Sequence, residues 1–124
     1  MISEIEHTSN NLPWRYNTPA KVLEFEADKT GALDYDHLEN LASTCENVRV
    51  IAVTGASNQT GYIADIERLR AIAQQHGALL FIDAAQLAPH RPMNLTRWKA
   101  GALAFSAHKV YAPFGLGVLV LPRD

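Results

Sequence analysis

Apolar positions recur along the chain in two rhythms, and the rhythm changes mark the elements. Lys21-Val22-Leu23-Glu24-Phe25-Glu26 alternates, which predicts a strand over 21–26. Thr30-Gly31 marks a turn. Asp34 then caps a short helix whose inner face carries Leu38, Leu41 and Ala42. Val48 to Thr54 is β-branched and apolar, the composition of a strand buried on both faces. A polar loop, Gly55 to Gly61, follows. Ile63, Ile66, Leu69, Ile72 and Ala73 recur at helical spacing and predict a helix over 63–76, stopped by Gly77. Ala78 to Ile82 is the next buried strand and runs into Asp83. Gly101 to Phe105 leads to Ser106, and Gly117 to Leu121 is the last strand.

Strand, helix and strand over 48–83 form a βαβ unit with a right-handed crossover. The fold class is therefore α/β: a mostly parallel, mixed sheet with helices on its faces. In such sheets chemistry gathers at the carboxyl ends of the strands. The polar residues found there are Asn58, then Asp83 and Gln86, then Ser106, His108 and Lys109.

Composition narrows the function. The chain has 124 residues, 48% hydrophobic and 19% charged, which suits one globular domain. A net charge of −2 offers no basic surface for nucleic acid or an acidic membrane. The single Cys45 excludes an intramolecular disulfide and a multi-cysteine zinc site. The five histidines show no metal-ligand spacing. No apolar run reaches the ~20 residues of a membrane span, and the start has no signal-peptide pattern. The expectation is a cytoplasmic protein without metal, nucleic-acid or membrane partners.

Two chemistries compete for the strand ends. Thr54 to Gly61 lies between a strand and a helix, and Asp83 follows at the next strand end, the arrangement of an NAD(P)-binding Rossmann-like domain. Gln59 stands where the glycine nearest the pyrophosphate is expected, and no Tyr-x-x-x-Lys pair occurs. The other chemistry is pyridoxal 5′-phosphate, which needs a Schiff-base lysine, an acid facing the pyridine nitrogen and donors for the phosphate. Ser106-Ala107-His108-Lys109 supplies hydroxyl, imidazole and amine; Asp83 supplies the acid; Gln86 can donate to the phenolic oxygen; His7 or Trp14 could stack on the ring. Singly, each residue has a plain structural reading: Asp83 as a turn or cap, Lys109 as a solvated lysine, Trp14 and Trp98 as packing residues, His37 and His76 as surface.

Together these residues form a pattern. Glu6-His7-x-Ser9-Asn10, Ser57-Asn58-x-x-Gly61, Asp83-Ala84-Ala85-Gln86, and Ser106-Ala107-His108-Lys109 followed by Gly115-x-Gly117 resemble, in one order and over nearly the whole chain, the class V aminotransferase family. Within it, the cysteine desulfurase-like members are the most similar. The chain has Ala107 where their common motif has glycine, and Tyr111-Ala112-Pro113 where it has Tyr-Gly-Pro.

The resemblance implies fold type I architecture, a homo-oligomer with active sites near the subunit interface, and a small amino acid substrate such as L-cysteine. It implies Lys109 as the Schiff-base residue, with Lys109 and His7 catalytic. Asp83 would pair with the pyridine nitrogen, Gln86 with the phenolic oxygen, and Ser106 and His108 with the phosphate. His7 would stack on the ring, and Asn58 would lie beside the ring oxygen and the substrate carboxylate. It also implies that residues 1–124 are a partial large, cofactor-binding domain, without an upstream Gly-Thr phosphate loop or a downstream small domain. The chemistry would then be incomplete in this short chain. The alternative class is a non-catalytic, self-associating α/β remnant.

Overall fold

The computed structural model describes residues 1–122. Its elements, in chain order, are β1 (Ile2–Ser3), α1 (Thr8–Tyr16), β2 (Glu24–Phe25), α2 (Tyr35–Ser43), β3 (Val50–Thr54), α3 (Ile66–Gln75), β4 (Leu79–Asp83), α4 (Leu95–Trp98), β5 (Ala102–Ser106) and β6 (Gly117–Val120). One 3-10 turn, Ala107–Val110, follows β5. The strands form one six-stranded sheet in the order β2-β1-β3-β4-β5-β6. All neighbours are parallel except β5 and β6, which are antiparallel. The mixed α/β class expected from the hydrophobic pattern is the fold observed.

The register sorts the side chains onto two faces. Ile51 pairs with Leu80, Val53 with Ile82, and Ile82 with Leu103. These buried residues form one core with Leu38 and Ala42 of α2 and Ile66, Leu69, Ile72 and Ala73 of α3. The opposite face carries Ala52, Thr54, Phe81, Asp83, Ala104 and Ser106. Helix α1 lies over this second face, where the Trp14 ring meets Phe81 edge-on at 5.6 Å. Ile82 is fully buried beside Asp83. We expect Ile82→Ala to lower stability by about 2–5 kcal/mol in urea unfolding, the usual result of a core deletion.

Several boundaries differ from the sequence reading. The predicted strand over 21–26 is only Glu24–Phe25, because it pairs with the two residues of β1 and nothing else. The predicted helix over 63–76 begins at Ile66, because Asp65 takes the cap and accepts the Arg68 N–H at 3.0 Å. Ile63 instead bridges Ala56 and is 38% exposed. His76 is half-buried rather than a surface residue, with Nε2 enclosed and without a hydrogen-bond partner. β1 and α1 do not stand out in the sequence pattern, yet they complete the site.

Candidate active site

β1 lies between β2 and β3, so the chain runs outward in one direction to β2 and then crosses to the other side to make β3. The strand order thus reverses beside β1, and ligands of open α/β sheets bind at such a point, beyond the carboxyl ends of the strands. Four strand ends meet there. β1 leads to His7, β3 to Asn58, β4 to Asp83 and Gln86, and β5 to Ser106, His108 and Lys109.

One cavity of about 380 Å³ is lined by His7, Ser9, Thr54, Ala56, Asn58, Asp83, Ala85, Gln86, Ser106, His108 and Lys109. His7, Asn58, Asp83, Gln86, Ser106, His108 and Lys109, all singled out from the sequence, are on its wall, whereas Trp14, the other candidate to stack on a ring, is not. The volume suits a small-molecule ligand. A separate, mainly apolar cavity of about 290 Å³ lies at the other end of the strands, beside Met1 and Val50. It contains Cys45, which is therefore remote from the polar cluster, and also Trp14, which faces packing rather than the strand-end cavity.

Each side chain is held by local geometry. His7 caps α1; its Nδ1 accepts the Ser9 N–H at 3.2 Å and lies 2.8 Å from Ser9 Oγ. Asp83 Oδ1 accepts the Ala85 N–H at 2.9 Å, which fixes the carboxylate at the strand end. Asp83 is the register partner of Thr54, so both point to the face beneath α1. Ser106 precedes the 3-10 turn, but its hydroxyl makes no capping bond. The His108 ring stacks on Phe114 at 4.9 Å, a contact with no signal in the sequence. Among the described residues no ion pair joins Asp83 to Lys109.

The loop after β3 does not suit a dinucleotide. Ser57 Oγ accepts the N–H groups of Gln59 and Thr60, both at 3.2 Å, and Ser57 O accepts Gly61 N–H at 3.1 Å. These donors are turned into the loop rather than toward a pyrophosphate. The following helix opens with Asp65 and Glu67, two acids where a pyrophosphate would need positive potential. The loop and helix therefore lack the form of a Rossmann-like NAD(P) site.

Sequence reasoning quoted Glu6 only as part of a motif, but it is the most enclosed acid of the site region, 7% exposed. Its Oε1 accepts Thr54 N–H at 2.8 Å and also the Ser3 hydroxyl; its Oε2 accepts the Asn10 amide at 2.6 Å. Burial pushes its carboxyl up from 4.5 to about 7; these hydrogen bonds oppose the rise, and the negative charge of Asp83 adds to it. The folded state therefore binds this proton more tightly than the unfolded chain. Its contribution to stability is full below about pH 4.5 and is lost as pH rises through about 7, amounting to about 3 kcal/mol at most. We expect the urea midpoint to fall between about pH 5 and about pH 8. A midpoint that rises over that range would contradict this assignment.

Residues 1–124 match the family model of aminotransferase class-V. A probable cysteine desulfurase of Chlamydia muridarum is 35% identical over 127 residues, a match covering 100% of this chain and 31% of that protein. The cysteine desulfurase of Pectobacterium atrosepticum is also 35% identical, over 129 residues, with 100% and 31% covered. Among solved structures, the cysteine desulfurase CsdA from Escherichia coli superposes with a TM-score of 0.90 at 33% identity, covering 98% of this chain and 31% of that one. The apo structure of a cysteine desulfurase from Thermococcus onnurineus NA1 gives 0.84 at 34% identity, covering 97% and 30%. The chain thus spans about a third of the length of the curated relatives it matches.

Proposed function

Since the chain belongs to the aminotransferase class-V family, we propose that its strand-end cavity holds pyridoxal 5′-phosphate and serves amino-acid chemistry of the cysteine desulfurase type, with L-cysteine as the model substrate. The carrying observation is that His7, Asn58, Asp83, Gln86, Ser106, His108 and Lys109, drawn from four strand ends, line one cavity. We read residues 1–124 as part of the large, cofactor-binding domain.

The donor set fits the group. It offers an anchored carboxylate, an amine outside any ion pair among the described residues, and a serine hydroxyl not committed to a cap. When bound, the cofactor supplies an electron sink for the pair left at the substrate Cα. Asp83 would keep a proton on the ring nitrogen, since its fixed negative charge favours the cationic ring. Gln86 would donate its amide to the phenolic oxygen. Ser106 and His108 would hold the phosphate, with the imidazole oriented by Phe114. His7 would cover the ring from the α1 side. Asn58 would orient the substrate carboxylate. Lys109 would hold the group and, once displaced by the substrate amine, take and return the Cα proton, a role suited to an amine whose pKa responds to its surroundings. We expect L-cysteine to change the visible absorption of the cofactor-loaded chain more than other amino acids do; equal responses from all would remove the desulfurase assignment.

We also propose that the chain associates with itself. On the second face of the sheet α1 packs beside β3 and on Phe81 of β4. Leu79 and Leu119 on that face are 41% and 60% exposed. Beyond the sheet edge at β6, Phe114 and Tyr111 are 88% and 96% exposed. Apolar surface of this kind marks an interface. Light scattering should give a mass above 13.7 kDa that grows with concentration, and Leu119→Lys should lower it. A monomer at every concentration would refute association. A cytoplasmic setting agrees with the free thiol of Cys45; among the described residues no helix is long and apolar enough to cross a membrane.

A further inference from the structure

Glu6 has no part in the scheme above, yet its carboxylate is the point where three elements meet. It takes the Ser3 hydroxyl from β1, the Asn10 amide from α1 and the Thr54 N–H from β3. Asn10 is itself fixed, because its Oδ1 accepts the Trp14 indole N–H at 3.0 Å. His7, on one wall of the cavity, is the next residue in the chain. Thr54, on another wall, is the register partner of Asp83.

We propose that Glu6 is a positioning residue, which locks the His7 side of the cavity to the Thr54–Asp83 side across the point where the strand order reverses. The inference rests on the reading that this cavity takes pyridoxal phosphate.

The bonding pattern requires a carboxylate or a carboxyl, not an amide. Both oxygens of Glu6 face donors. In Glu6→Gln the new NH2 meets either Thr54 N–H or the Asn10 NH2. Asn10 cannot turn its amide to help without breaking the Trp14 bond. Glu6→Asp keeps two acceptors on a shorter stem. A protonated Glu6 can also be accommodated, because the Ser3 hydroxyl can turn and accept a hydrogen bond from the carboxyl O–H. The groups facing Glu6 are Ser3 from β1, Asn10 from α1, Thr54 N–H from β3 and the Asp83 charge from β4; His7 adjoins it in sequence. With burial, helped a little by the Asp83 charge, pushing its carboxyl up to about 7, its ionisation falls near neutral pH. The Asn10–Trp14 link should carry that change to the indole.

The test uses Trp98→Phe, which leaves Trp14 as the one indole. Without cofactor, Trp14 fluorescence should show one transition near neutral pH. Glu6→Gln should abolish it, and Glu6→Asp should retain one. In equilibrium dialysis, Glu6→Gln should weaken pyridoxal phosphate binding about tenfold, the worth of one charge-assisted hydrogen bond, with Glu6→Asp restoring most of it. Circular dichroism checks that both variants fold. A folded Glu6→Gln chain with undiminished affinity overturns the inference. If the unsubstituted chain takes up no cofactor, the reading of the cavity fails. The Trp14 transition then decides on Glu6 alone: present and abolished by Glu6→Gln, it upholds the lock; absent, it overturns it.

Discussion

Lys109→Ala is expected to remove the retention of pyridoxal phosphate through gel filtration. Lys109 is at the β5 end of the cavity, on the 3-10 turn that follows Ser106. Among the described residues nothing else on the cavity wall is a primary amine, so none of these neighbours can substitute in covalent attachment. The contacts that would remain, from Asp83, Ser106 and His108, would be electrostatic and hydrogen-bonding. A bond lost at this position should raise the dissociation constant by roughly 100-fold or more, about 3 kcal/mol. Lys109→Arg should not rescue it, because a guanidinium keeps the charge but is not a nucleophile at neutral pH. Retention by Lys109→Ala equal to that of the unsubstituted chain would remove Lys109 from the site.

Asp83→Ala is the second large effect. The carboxylate sits at the end of β4, with one oxygen accepting Ala85 N–H at 2.9 Å. The loss acts on two levels. The ring would lose the only acidic partner that the described residues offer on the cavity wall, and the backbone turn at Ala85 would lose its acceptor. Truncating one partner of such a charge pair usually costs about 2–5 kcal/mol, or a factor of roughly 30 to several thousand in affinity. Asp83→Asn separates the two levels. It keeps an oxygen for Ala85 but removes the negative charge, so it should fold like the parent and still bind weakly. Equal affinity in Asp83→Asn and the unsubstituted chain would show that the charge is not used.

The elements legible in the sequence were those with a strong periodic signal. Ile66, Leu69, Ile72 and Ala73 placed the core face of α3, and Asp34 marked the cap of α2, where it does accept His37 N–H at 2.8 Å. β3, β4 and β5 carried long apolar runs, so the residues past their ends were found by order alone. What escaped was short or polar. β1 has two residues, too few for any alternation to register. α1 has polar residues at most positions and a proline inside it, and it buries only Asn10. Its stability comes from side-chain bonds to Glu6 and from packing on Phe81, neither visible as a repeat. His7 stands level with Trp14 as a stacking residue until the resemblance favours it, because its placement depends on two elements the pattern does not show. Glu6 left one trace: Ser3, Glu6 and Asn10 are three polar residues that end up buried together.

Pyridoxal phosphate is expected to occupy the strand-end cavity with Lys109 as its attachment point. Borohydride reduction of the chain with one equivalent of the cofactor, followed by peptide mapping, tests this directly. A pyridoxyl label is expected on Lys109, and label on Lys21, Lys29 or Lys99 in its place would contradict that attachment point.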